Sequence, residues 1–118
     1  MKIIKTKILS EKKYFETHLA LINVLLPIKM TPMEIVVLSR FMLLKGDIAK
    51  ERFGATARKM VKQDLKISSA SLSIYLSTLE GKGFIIKKDE ETGILPILIP
   101  DDKEQLYNFK LVINEDTK

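Results

Sequence analysis

Apolar residues recur at helical spacing in four stretches of this chain, and the last third changes to near-alternation. In the first stretch Phe15, His18, Leu19, Ile22, Leu25 and Leu26 share one face, widened by Leu21 and Val24. Ser10 is a suitable N-cap and Pro27 a stop, so a helix is expected over 10–26. In the second, Thr31 caps, Pro32 suits the first helical position and Glu34 can reach back to close a capping box. Ile35, Leu38, Phe41 and Met42 carry its apolar face, packing overrides the weak helix propensity of the β-branched run, and Gly46 ends it near Lys45.

Residues 46–54 read as a loop, with Arg52 and Phe53 in a short strand. Thr56 is the expected cap of a third helix, with Met60, Val61 and Leu65 inward and its cations outward. Ile67 packs the following turn. Ser68 then caps a fourth helix with a stripe of Leu72, Tyr75, Leu76 and Leu79, ended by Gly81 and Gly83. Beyond it, 84–88 reads as a strand, 89–93 as a turn, and 94–99 as a second strand in which Pro96 marks an edge or bulge. A third strand is expected over 105–114. The opening segment KIIKTKIL reads as a short strand or a loose arm. The expected class is mainly α with a small antiparallel β-sheet, as a single domain over 1–118: an N-terminal helix (10–26), a helical core (31–83), and β structure over 84–114.

Length and composition agree with one soluble domain: 118 residues, 46% hydrophobic and 30% charged. There is no cysteine, which excludes disulfides and thiolate metal sites. The longest apolar run, 19–28, is too short to cross a bilayer and is a poor signal peptide. A cytoplasmic protein with no membrane association is expected.

Charge is unevenly placed. Residues 40–88 hold eleven Lys or Arg against four Asp or Glu, whereas 89–118 hold three Lys against eight acids. A basic middle beside an acidic end points to a polyanionic partner for the middle, although a solvated lysine-rich surface has the same composition.

The segment ATARKMVKQDLKISSASLSIYLSTLEGKGFIIKK (55–88) resembles the winged helix-turn-helix of MarR-type bacterial and phage regulators. The features that carry the resemblance are Ala57 early in the first motif helix, Ile67 and Ser68 at the turn, and small polar residues opening the second helix. LSTLEGKGFI then matches the family's helix-to-wing transition. The likeness covers roughly 31–99 and implies a winged helix-turn-helix fold, with the motif over 56–83. It also implies a transcription regulator that binds double-stranded DNA, its second helix in the major groove and cations gripping phosphates. A winged helix also serves as a protein-contact module, for instance in a phage or bacterial replication or assembly complex, and that reading stays open.

On this template the phosphate grips are Arg58, Lys59, Lys62 and Lys66 on the first motif helix, with Lys82, Lys87 and Lys88 flanking the wing. Ser68, Ser69, Ser71, Ser73 and Ser77 line the second helix. Serine donates and accepts indiscriminately, and no Arg, Lys, Asn or Gln lies on that helix before Lys82, so direct base readout is expected to be weak. Asp89, Glu90 and Glu91 occupy the wing tip, a departure from the family's basic tip that argues against insertion between phosphate ridges. The resemblance also implies dimerisation through terminal helices. Helix 10–26 is the candidate homodimer face, although KIIKTKIL pairing with the last strand would leave a monomer.

No nucleophile–base set, Gly-rich phosphate loop or metal-ligand cluster is present, so neither an enzyme nor a cofactor is expected. His18 reads as a packing residue. Asp101, Asp102 and Glu104 read as a charged turn, and Met30, Met33, Met42 and Met60 as core filler.

Overall fold

The computed structural model describes residues 3–88, 91–101 and 103–113. Its elements are α1 (Glu11–Asn23), α2 (Pro32–Met42), α3 (Asp47–Lys50), α4 (Ala55–Leu65), α5 (Ser69–Gly81), β1 (Ile85–Lys88), β2 (Glu91–Ile94) and a single 3-10 turn (Pro96–Leu98). The protein is mainly helical with a small two-stranded antiparallel sheet.

α2 is the centre. Val37, Leu38, Ser39 and Phe41 have no solvent exposure, and α1, α4 and α5 all pack against this helix. Its start follows the local chemistry foreseen above: Thr31 Oγ1 accepts from Glu34 N at 3.3 Å and Glu34 Oε1 accepts from Thr31 N at 2.7 Å. Its end differs. The helix stops at Met42 rather than near Lys45, because Arg52 Nη1 donates to the Phe41 and Leu44 carbonyls at 2.6 and 3.2 Å and caps the helix C-terminus. Arg52 and Phe53 therefore form no strand. Phe53 is buried instead with its ring centroid 4.9 Å from that of Phe41, and the short helix α3 fills part of the expected loop.

α1 begins at the expected cap, with Ser10 Oγ accepting from Lys13 N at 3.1 Å. It ends at Asn23 rather than Leu26. The Asn23 side chain makes two bonds to the Met30 backbone, at 2.7 and 3.0 Å, which folds residues 24–29 into a turn. α4 starts two residues earlier than expected. Arg58 N bonds to Gly54 O at 3.0 Å, so Gly54 is the cap and Thr56 sits inside the first turn. Ala57 and Val61 are buried, but Met60 is exposed rather than inward.

α5 begins at Ser68, whose Oγ accepts from Ser71 N at 3.0 Å. It ends in a Schellman arrangement: Gly83 N bonds to Glu80 O and Phe84 N to Leu79 O, both at 3.0 Å, with Gly83 at φ +85°. Leu79 and Phe84 are both buried, which locks the exit of the helix into the sheet.

The strands pair in the register Ile85↔Ile94, Ile86↔Gly93, Lys87↔Thr92 and Lys88↔Glu91. Thr92 and Gly93 thus belong to β2 rather than to the expected turn, and Asp89 and Glu90 lie outside the described residues. The expected strand 94–99 is not formed. Leu95 N donates to Phe84 O at 2.9 Å, but Pro96 has no N–H to continue the ladder and the chain turns to bury Leu98 completely. The expected third strand is also absent over 105–113, because no neighbouring strand meets it; Asn114 lies outside the described residues. That segment is held instead by side chains. Tyr14 Oη donates to Asp101 O at 2.7 Å, and His18 Nδ1 lies 2.6 Å from Tyr107 Oη. KIIKTKIL forms neither helix nor strand over residues 3–8.

Candidate nucleic-acid interface

At 100° per residue, Arg58, Lys59 and Lys62 fall within an arc of about 100° on α4, and Lys66 follows as its C-cap. Burial of Ala57 and Val61 on the opposite side forces that arc outward. Lys62 Nζ donates to Ser69 Oγ at 3.0 Å, so the cationic arc of α4 abuts the first turn of α5. Lys59 and Lys66 are exposed alongside. Lys66 closes α4 in the left-handed conformation, φ 56°, the single non-glycine at positive φ among the described residues.

Arg58 is partly committed. Its Nε donates to Phe53 O at 2.8 Å, tying the start of α4 to the preceding segment while the residue remains exposed. It lines an open cleft of about 630 Å³ with Lys50, Glu51, Leu76, Glu80, Lys87 and Glu91. Cations and carboxylates alternate around that rim. Lys87 Nζ stands 3.8 Å from Glu80 Oε2, a long exposed pair, and Lys88 is exposed on β1 opposite Glu91.

On α5, Ser69, Ser73 and Ser77 lie on the open face with Ala70 and Ile74; Leu72, Leu76 and Leu79 point into the core. Two expected members sit elsewhere. Ser71 is half-buried, and its hydroxyl accepts from Ser68 Oγ at 3.0 Å inside the cap. Lys82 is turned into the fold, where its Nζ donates to Glu34 Oε1 at 2.7 Å and to Lys29 O at 2.9 Å. Burial pushes the Glu34 carboxyl up, but the Lys82 ammonium and the Thr31 N–H and hydroxyl outweigh it and hold its pKa below the usual value. Lys82 is thus a clasp between the start of α2 and the end of α5, not a free cation.

Behind this face, Asp64 on α4 pairs with Lys12 Nζ and Arg40 Nε, each at 3.1 Å, and Arg40 Nη1 lies 3.6 Å from Glu16. The Arg40 Nε–H is not aimed at the Asp64 oxygen, so the contact is an ion pair rather than a hydrogen bond. This network links α1, α2 and α4. Neither it nor the Arg52 cap has a local sequence signature, since each joins residues far apart in the chain.

Among the described residues no group of His, Asp or Glu is placed to hold a metal ion, and no helix is long and apolar enough to cross a membrane. Comparison with protein-family models, with curated proteins and with solved structures gives no match to this chain.

Proposed function

We propose that this protein is a winged-helix DNA-binding regulator that holds double-stranded DNA chiefly through phosphate contacts. The observation that carries the reading is the Lys62–Ser69 bond, which joins the cations of α4 to the start of α5. In the proposed pose α5 enters the major groove by its N-terminal half. Its Ser69 and Ala70 N–H groups, which lack intrahelical partners, then face phosphate. Lys59, Lys62 and Lys66 grip the flanking backbone, and Lys88 meets it beside the hairpin. Serine hydroxyls and Ile74 offer little to distinguish base pairs, so DNA shape and backbone contact dominate affinity.

The test is a salt series on random duplex DNA. Each neutralised phosphate contributes about 0.9 to the slope of log affinity against log salt. Lys59→Glu with Lys62→Glu is expected to lower affinity at least roughly tenfold for every duplex and to reduce that slope by about 2. Equal affinity and slope in wild type and variant would sink the reading.

A second reading has its own support. The open face of α5 carries no cation, Ile74 is 65% exposed on it, and Glu51, Glu80 and Glu91 line the neighbouring cleft. A face of this kind suits contact with another protein, as in a replication or assembly complex. It predicts no duplex binding even at low salt, and loss of a recovered partner on Ile74→Asp.

A further inference from the structure

Residues 103–113 are held to the body by side chains. Among the described residues none of their backbone groups bonds to another backbone group, and no strand pairs with them. They leave from an anchored turn: Tyr14 Oη donates to Asp101 O at 2.7 Å, and Asp101 N donates to Gln105 Oε1 at 2.8 Å. Two residues on, the Tyr107 hydroxyl lies 2.6 Å from His18 Nδ1, with the ring centroids 5.7 Å apart. Phe109 stacks on Tyr107 with centroids 6.0 Å apart. Beyond that pair Leu111 is 95% and Ile113 84% exposed. The segment is a strap, tied at 101–105 and fastened again at Tyr107.

The fastening point is titratable. His18 is 3% exposed, and among the described residues no group is placed to bond its Nε2. A neutral imidazole can pair Nδ1 with the Tyr107 hydroxyl in either tautomer, and leaves one uncharged nitrogen unpaired. An imidazolium carries a proton on both nitrogens. Under the strap it would bury a charge and an unpaired N–H together. Few groups are placed to offset that. The Asp101 charge and the Leu98 carbonyl favour the imidazolium, but burial outweighs both. α1 itself adds the Tyr14 phenol one turn away, and the strap adds the Tyr107 phenol and the Gln105 amide. The ionic groups of α2 are engaged elsewhere, Arg40 with Glu16 and Asp64, and Glu34 with Lys82. In water the charged ring meets no such penalty.

We propose that residues 103–113 form an acid-released strap: protonation of His18 unfastens Tyr107 and frees the segment while the helical body stays folded. The Tyr14 bond to Asp101 keeps the turn in place as a hinge. Release opens the His18 side of α1 to water and frees Tyr107, Phe109, Leu111 and Ile113, which occupy alternate positions along the chain. The fastened state is favoured above the ordinary histidine value of 6.5 and loses ground as pH falls below it. This device lies apart from the cationic arc and does not depend on the DNA reading.

The chain has no cysteine, so a spin label on Leu106→Cys of the full chain reports on the strap alone. Leu106 is 78% exposed, and its replacement leaves the fastening intact. The ratio of mobile to immobile label is expected to rise from about pH 7.5 to about pH 5, by at most about tenfold per pH unit, the limit for one proton, with the far-UV circular dichroism unchanged. His18→Gln is expected to abolish the difference between the two pH values. Proton and strap compete, so the reciprocal effect is read at the ring by NMR. The His18 titration is expected below 6.5 in the unlabelled wild type and to return toward 6.5 in Tyr107→Ala. Equal label mobility at both pH values overturns the proposal. So does an acid release that survives in His18→Gln, or a His18 titration that Tyr107→Ala leaves unmoved. Release that coincides with loss of the helical signal overturns it as well, by assigning the change to unfolding of the body.

Discussion

Lys66 sits where the chain would favour glycine. Its left-handed backbone costs on the order of 1 kcal/mol, and it closes α4 beside the proposed phosphate contacts. Lys66→Gly is therefore expected to raise unfolding free energy by about 1 kcal/mol in urea titration and to weaken duplex binding in the salt series. A gain in stability with no loss of binding would assign the strain to folding alone. Lys82 is the opposite case. Its position after α5 suggests a grip on DNA, but its ammonium is already held by Glu34 and the Lys29 carbonyl. A lysine's charge is visible in a sequence; whether that charge is free is decided by residues some fifty positions away.

Element by element, what could be read from the sequence depends on how local the causes are. The caps at Ser10, Thr31 and Ser68 and the stripes behind them specify three helices within a few residues of the true bounds, because the bonds involved span one turn. The same locality puts Ser69, Ser73 and Ser77 on the open side of α5 and gathers Arg58, Lys59 and Lys62 on one arc of α4. Strands were read less well, since a strand exists only where a partner pairs with it. Residues 105–113 alternate as a strand does, yet among the described residues no strand pairs with them.

The clasp between α2 and α5 makes an element-scale prediction. The Glu34 pKa is lowered in the folded state, so the pair contributes stability above the ordinary glutamate value and loses it as pH falls below about 4.5, toward the depressed folded value. Glu34→Gln is expected to cost about 2 kcal/mol at neutral pH and to flatten the acid limb of a stability–pH curve. An unchanged acid limb would show that the pair contributes nothing.

At the scale of the whole molecule, His18 links the tail to the body. It is the only histidine and is buried. Burial lowers its pKa from 6.5, against the Leu98 carbonyl and the Asp101 charge, which raise it. The unfolded chain therefore takes up the proton first, and stability falls as pH drops from about 6.5 toward the lower folded value. Denaturant titrations across that window should show the decline in the wild type and not in His18→Gln. The Gly83 elbow acts at the same scale. Two main-chain bonds and the buried Leu79–Phe84 contact weld α5 to β1, and Leu95 returns to Phe84 from the far side of the hairpin. Helix and hairpin are consequently continuous. A load on the hairpin passes into α5 and, through buried Leu72, Leu76 and Leu79, into α2, so the strand pair is braced by the core rather than hinged upon it.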